Sequence, residues 1–187
     1  MLNEYNISSG TLFFIILHSN PTINKVNNID FTPEITHCSL ADFSQITSEI
    51  KAFWGSDRTL AIHHPSLIHE FGNTAFVIKK EDQVIAYLFG YYSQTESTAY
   101  IHLISAREGY QKMGLGQILY SHFMALAKAN NLTKIKAITR PFNTKSINFH
   151  THKIGMKMLG EPNAEGINVI KNYAGYGEDR VVFEKLI

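Results

Sequence analysis

The sequence predicts an α/β chain, α+β in stricter usage, built on a mixed, largely antiparallel central sheet flanked by helices. Three observations predict it. Two runs rich in β-branched and aromatic residues, 74–79 and 84–92, are separated only by the polar residues 80–83, which reads as an antiparallel hairpin. A third such run, 98–106, leads through a glycine-containing segment into residues 115–129, where apolar side chains recur at helical spacing. A further strand at 134–139 completes a strand–helix–strand crossover, the connection that joins parallel neighbours in one sheet.

The remaining elements follow in order. Residues 20–28 are Asn-rich and contain Pro21, which suits a linker, so the chain divides into an N-terminal extension, 1–30, and a single domain, 31–187. Residues 35–40 form a strand. Ala41 and Asp42 open a helix in which Phe43, Ile46, Ile50 and Phe53 recur at spacings of three or four, ending at Gly55. In the helix 115–129, Ile118, Leu119, His122, Leu126 and Ala129 mark one side. A short helix at 146–154 stops at Gly155, and 179–186 is the last strand.

Composition bounds the function. A chain of 187 residues, 44% apolar, buries one substantial core and has little room for two. Lys and Arg total 17 against 16 for Asp and Glu, so no basic field draws the chain to nucleic acid or to an anionic membrane. A compact anionic ligand must be held locally. Cys38 is the only cysteine, which excludes an intramolecular disulfide framework and a cysteine-built zinc site, and fits a cytoplasmic setting. His63, His64 and His69 suggest metal at first sight, but adjacent histidines project apart and no acid or cysteine stands at ligand spacing. No metal is expected. The apolar run 11–17 falls far short of the roughly 20 residues that span a bilayer. Nothing before Thr11 is basic, so the run is not a signal peptide either.

Between the strand ending near Ala106 and the helix beginning near Leu115 lies Arg107-Glu108-Gly109-Tyr110-Gln111-Lys112-Met113-Gly114-Leu115-Gly116. Glycines at 114 and 116 remove side chains where the backbone N–H groups of a helix start have no partner, so a pyrophosphate can approach the amides and the helix dipole. Two well-known phosphate motifs fail here. Gly109 and Gly114 have the spacing of a P-loop, but Leu115-Gly116 stands where Lys-Ser/Thr is required. The dinucleotide fingerprint places its third glycine at Leu119, and the preceding strands read as hairpins instead of a βαβ unit.

The segment resembles instead the acetyl-coenzyme A signature of the GNAT acetyltransferase superfamily, Q/R-x-x-G-x-G/A, met by Gln111, Gly114 and Gly116. The resemblance runs from about residue 35 to 186 and includes Asn143-Thr144-Lys145-Ser146-Ile147-Asn148-Phe149-His150, similar to the superfamily's N-x-x-S/A-x-x-F/Y element. The stretches 53–65, 160–163 and 179–183 resemble a bacterial subgroup. The resemblance implies the GNAT-like acyl-coenzyme A fold and transfer of an acetyl group to a primary amine within a ternary complex, without an acyl-enzyme. It implies donor binding by Gln111, Lys112, Met113, Gly114, Leu115, Gly116 and Gln117, by the backbone of Ile104 and Ala106, and by Asn143, Ser146 and Phe149 along the pantetheine arm. His102, beside Tyr100, occupies a place where arylalkylamine acetyltransferases carry a proton-accepting histidine. His150 stands where many relatives carry the tyrosine that protonates the leaving thiolate. The spacing from Asn143 to Gly155 is one residue longer than usual, which leaves His152 as the alternative acid; His150 is favoured.

Each residue also has a structural reading. By the period-two rule residues 100, 102, 104 and 106 share one face of their strand, with Tyr100 and His102 side by side. A histidine there accepts a proton at neutral pH, or simply packs in the sheet. His150 acts as an acid or caps its own helix. Tyr87, Tyr91, Tyr92 and Trp54 line an acceptor pocket or belong to the core. Acceptor identity rests on the loops 56–73 and 163–178, where Asp57, Glu70, Glu165 and Glu178 are available to a cation. The alternative to an enzyme is a non-catalytic acyl-coenzyme A sensor. The resemblance also allows a homodimer, with residues 11–17 covering an apolar patch or sheet edge.

Overall fold

A computed structural model describes residues 31–187. Chain contacts divide the molecule into Met1–Phe31 and Thr32–Ile187, and every element below belongs to the second unit. The expectations for residues 1–30, including the run 11–17, lie outside the described residues.

The first strand, β1, is Ile35–His37. It is shorter than expected because Ser39 starts a helix: the Ser39 hydroxyl accepts the Asp42 N–H at 3.1 Å and the Asp42 carboxylate accepts the Ser39 N–H at 2.9 Å. That capping box opens α1, Leu40–Ser48. Sequence periodicity gave one helix to Gly55; the backbone leaves helical geometry at Glu49, and a second helix, α2, spans Ile50–Trp54. Gly55, at φ 70°, stops it. The following loop contains a 3₁₀ turn at Leu60–Ile62, the short helix α3 (Ser66–His69) and a 3₁₀ turn at Gly72–Thr74, pieces too short to register as periodicity.

The hairpin is antiparallel as expected. Its strands, β2 (Ala75–Lys80) and β3 (Gln83–Tyr92), meet at Glu81-Asp82, with Glu81 in the left-handed region at φ 55°. Then come β4 (Thr98–Ala106), α4 (Leu115–Ala129) and β5 (Lys134–Thr139). Next is α5, Thr144–Asn148, which continues as a π-helical turn over Phe149–Ile154. The chain closes with β6 (Lys157–Leu159), the small ribbon of β7 (Glu161–Pro162) with β8 (Asn168–Val169), and β9 (Val181–Leu186). The main sheet has seven strands in the order β1-β2-β3-β4-β5-β9-β6. Within it β4–β5 is the parallel pair and the other neighbours are antiparallel.

Two helical layers cover the sheet. On one face α1 and α2 bury Phe43, Ile46, Ile50 and Phe53 against Val77, Tyr87, Phe89 and Leu103. On the other lies α4, whose Phe123 ring reaches Gly90: a Cβ there would come within 2.6 Å of it. Glycine at that position lets helix and sheet approach. The buried side of α4 is Leu115, Leu119, Tyr120, Phe123 and Ala127. The expected stripe was rotated by about one position, since His122 is exposed and its ring only brushes Phe76. Among the described residues no helix is long and apolar enough to cross a membrane.

Candidate active site

One irregularity in β4 divides the site. Phe89 pairs with Leu103 and Gly90 with Ile101, so His102 has no opposite residue and forms a bulge. An extra residue resets the alternation of side chains. Tyr100 and His102 therefore lie on the α1–α2 side, where the His102 ring meets the Ile62 carbonyl. Ile104 lies on the α4 side, its Cδ1 3.9 Å from a Cβ built on Gly116. The expected common face for 100, 102, 104 and 106 is corrected accordingly: the strand presents Tyr100 and His102 to one side and Ile104 and Ala106 to the other.

Past this bulge β4 loses its parallel neighbour. Pairing with β5 ends at Ile101 and Ala137, although β4 runs on to Ala106 and β5 to Thr139. Arg107 donates its N–H to the Ile85 carbonyl on the β3 side. Backbone groups alternate in direction along a strand, so Ala106 and Ile104 direct theirs to the open β5 side. Gln111 Nε2, donating to the Ala106 carbonyl at 3.3 Å, agrees with that direction. The open edge thus offers unpaired backbone groups beside the loop that sequence marked as a phosphate cradle.

The cradle is held at its base. Arg107 is buried, donates from Nε to the Val84 carbonyl at 2.9 Å, pairs with Glu49 and lies 4.8 Å over the Phe53 ring. Glu108 donates its N–H to the Ala52 carbonyl at 2.7 Å. Three residues of the loop, Gly109, Lys112 and Gly114, have positive φ, and such reversals turn successive N–H groups toward one concavity. Gly114 is the N-cap of α4 at φ 81°, and no side chain among the described residues caps the helix. At Gly116 a Cβ would sit 3.0 Å from the Phe149 ring, so this glycine also admits a protein side chain. Lys112 and Met113 are exposed at the rim, Gln117 is exposed on the first turn and Leu115 is buried beneath.

Lys145 was not foreseen. Its Nζ donates to Gln111 Oε1 at 2.6 Å, which puts a cation at the cradle from α5. The signal available was its position inside the Asn143 element. Asn143 itself ties α5 to the sheet, accepting the Ser146 N–H at 3.2 Å and donating to Thr139 Oγ1 at 3.1 Å.

The π turn absorbs the extra residue between Asn143 and Gly155, and in doing so it selects between two histidines. His150 points inward and is buried; His152 is exposed. His150 stacks on Phe183 with centroids 4.5 Å apart and planes 10° apart, and its Nδ1 lies 2.7 Å from the Ser146 carbonyl. A carbonyl only accepts, so the ring's proton sits on Nδ1 and Nε2 carries a lone pair. That Nε2 is buried without a protein partner, as is the hydroxyl of Tyr120, whose ring meets His150 edge-on at 5.7 Å. Burial pushes the His150 imidazole down to about 4, against the opposing pull of the Ser146 carbonyl. At neutral pH the ring is therefore uncharged, and its Nε2 is open to accept a hydrogen bond.

On the opposite face His102 is half-buried, and its Nε2–H donates to the Ile62 carbonyl at 3.3 Å. Burial holds its pKa below the ordinary histidine range, so the ring is neutral at pH 7 with the Nδ1 lone pair free. Tyr100 and Tyr91 flank it at centroid distances of 6.4 and 6.1 Å. Burial raises the Tyr100 phenol well above its usual value, so it serves as a neutral hydrogen-bonding group. The other aromatics named from sequence separate cleanly. Trp54 Nε1 donates to the Tyr87 hydroxyl at 2.6 Å, which donates to His63 Nε2 at 2.8 Å, while His63 Nδ1–H donates to the Thr59 carbonyl at 2.8 Å. That closed chain belongs to the core. Tyr92 lies on the α4 side, 6.5 Å from Phe123. His64 bonds Ser66, away from His63.

No protein of curated function matches the sequence. The solved structures do match. Ard1 from Thermoplasma volcanium gives a TM-score of 0.64 at 20% identity, covering 83% of this chain and 97% of that one. The ribosomal-protein-S18-alanine N-acetyltransferase from Escherichia coli gives 0.60 at 16%, covering 83% and 94%. Aminoglycoside 6'-acetyltransferase type Ii gives 0.61 at 14%, covering 82% and 96%. These likenesses establish the fold. The sequence profile of the Acetyltransferase (GNAT) family matches residues 40–156, from the start of α1 past the cradle and through the Asn143 element. With more than half its length matched, this chain belongs to the Acetyltransferase (GNAT) family, whose members use acetyl-coenzyme A.

Proposed function

We propose that this chain is an N-acetyltransferase that moves the acetyl group of acetyl-coenzyme A to a primary amine by direct attack in a ternary complex. The observation that carries the reading is the division of β4. One strand offers an open backbone edge and a cradle on its donor side, and an unprotonated histidine between two tyrosines on the other. The pyrophosphate is held by the amides at the start of α4, with Lys145 and Lys112 supplying charge. The pantetheine arm follows the open edge, where Ile104 and Ala106 supply backbone groups, between the cradle and the Ser146–Phe149 turn.

In the reaction the amine nitrogen, as free base, forms a bond to the thioester carbonyl carbon. A β4 backbone N–H near Ile104 to Ala106 stabilises the oxygen as it becomes negative. The C–S bond then breaks and coenzyme A leaves as thiolate. His102 Nδ1, directly or through water, takes the proton that the ammonium must lose. A thiol has a pKa of about 8.5, so the thiolate departs at neutral pH with little help from an acid. His150 keeps its proton on Nδ1 and positions the Phe149 turn against the cradle helix. Solved neighbours named for alanine and aminoglycoside acetylation have amine acceptors, in keeping with this chemistry.

A second reading is a non-catalytic acyl-coenzyme A sensor, in which the cradle is kept and His150, bonded to the Ser146 carbonyl, only packs the turn. Thiol release from acetyl-coenzyme A, measured with and without a mixture of primary amines, separates the two. Amine-dependent release is expected. Tight acetyl-coenzyme A binding with no amine-dependent release across the mixture would leave the sensor.

A further inference from the structure

His102 has one hydrogen-bond partner among the described residues, the Ile62 carbonyl, and that carbonyl belongs to a turn that does little to hold itself in place. Leu60, Ala61 and Ile62 are all exposed, and the 3₁₀ turn they form buries none of its own side chains. Apolar burial therefore contributes little to keeping the turn against β4.

The turn is held by the residue that follows it. His63 is buried, and it grips the turn twice. Its backbone N–H donates to the Leu60 carbonyl at 3.0 Å. The Ile62 carbonyl and the His63 N–H share one planar trans peptide and point opposite ways, so the bond to Leu60 fixes the direction in which the Ile62 oxygen is presented. The side chain makes the second grip. Its Nδ1–H donates to the Thr59 carbonyl at 2.8 Å, the same oxygen that accepts the Ile62 N–H at 3.1 Å and starts the turn.

The core dictates which nitrogen does this. The Thr59 carbonyl only accepts, so the His63 proton sits on Nδ1, and Nε2 takes the Tyr87 hydroxyl proton at 2.8 Å. Tyr87 in turn accepts the Trp54 indole N–H, which only donates, at 2.6 Å. Tyr87 is fully buried and meets Phe53 of α2 edge-on at 5.1 Å. An exposed turn is thus tied to the core through one imidazole.

On the acetyltransferase reading, we propose that His63 is a positioning residue for the transfer: it holds the Ile62 carbonyl where it accepts the His102 Nε2–H, which keeps the Nδ1 lone pair of His102 turned to the amine. His63 touches no substrate and acts through the Thr59–Ile62 turn.

Two readouts on the full chain test this. Amide hydrogen exchange reads the turn with no substrate present. His63→Phe keeps a ring and removes both side-chain bonds, and the Ile62 and His63 amides are expected to exchange about tenfold faster, the change that one lost hydrogen bond produces. Thiol release from acetyl-coenzyme A in a fixed mixture of primary amines reads the chemistry. His63→Phe is expected to lower kcat/KM for acetyl-coenzyme A about tenfold, and to cost nothing further when His102 is already alanine. Tyr87→Phe deletes only the hydroxyl that fixes the His63 tautomer. It is expected to move both readouts the same way by less, which keeps the test open should the His63 variant fail to fold. Unchanged exchange in both variants, or an equal loss of kcat/KM with and without His102, would overturn the proposal and leave His63 as packing. Absence of amine-dependent release in the natural chain is a separate result. It overturns the transfer reading and this role together, whereas additive losses in an active chain overturn this role alone.

Discussion

Phe149 occupies the space that a side chain on Gly116 would take: the ring approaches within 3.0 Å of a Cβ built there. The glycine of the cradle signature thus joins the donor loop to the π turn. A bulkier residue must displace a ring that packs on Gly116 and Tyr120 of α4, and overpacking of this kind costs about 1–3 kcal/mol. Gly116→Val is expected to lower the denaturant midpoint accordingly, and Phe149→Leu in the same chain to recover part of the loss. Full stability in the single variant, or no recovery in the double, would show that the contact is not what the position requires.

Gly114 obeys a different constraint. Nothing lies within 4 Å of a Cβ built on it, but its φ of 81° is strained for a residue with a side chain. Gly114→Ala is expected to lose about 1–2 kcal/mol of stability and Gly114→Asn less, because asparagine tolerates the left-handed region. Gly114→Glu places a carboxylate at an uncapped helix start and is expected to weaken acetyl-coenzyme A at least about tenfold in calorimetry, electrostatic repulsion of about 1.4 kcal/mol being sufficient. Undiminished affinity would move the pyrophosphate elsewhere.

His102 is held below the ordinary histidine range, so its base form is already present at neutral pH. Activity is expected to fall as pH drops through that lowered pKa. His102→Ala is expected to remove this acidic limb and to reduce kcat/KM by about 100-fold. A variant profile that keeps the limb would take His102 out of proton transfer.

His150 carries a stability signature. The unfolded chain binds a proton at this residue near pH 6.5 and the folded chain only near 4, so protonation favours unfolding between those values. The residue's contribution is intact above pH 6.5 and is lost as pH falls toward 4, by something on the order of 3 kcal/mol. Denaturation at pH 7 and pH 4.5 is expected to show a smaller drop for His150→Phe than for the natural chain. Equal drops would mean the imidazole is protonated in the folded state.

Much of this was legible in advance, and unevenly. The strand 134–139 falls where alternation put it because one side of it is buried at every second residue. The hairpin was equally plain. The His102 bulge was not, since a strict period of two is the only rule available to a sequence that does not announce an extra residue. It left Tyr100 and His102 together by good fortune and misplaced Ile104 and Ala106. Tyr87, Tyr91 and Tyr92 come from one run yet end differently: Tyr87 and Tyr91 share a face, but only Tyr87 is fully buried, against Phe53 of α2, while Tyr92 faces α4. Phe71 belongs to a loop whose position depends on contacts far along the chain, so no local pattern could have placed its ring against Tyr91. The π turn lies between these cases: one surplus residue before Gly155 was visible, and the side chain it would turn inward was not.

That turn is also a place where the chain can change length. A π turn holds one residue more than the α-helical turn it replaces, and Met156 N–H reaches back to the His150 carbonyl at 2.9 Å across it. Removing Thr151 or His152 would shorten the spacing by one and let an α-helical turn close between the same two anchors. Lineages of this fold can therefore gain or lose that residue in a single indel while the cradle, the sheet and Gly155 stay in register.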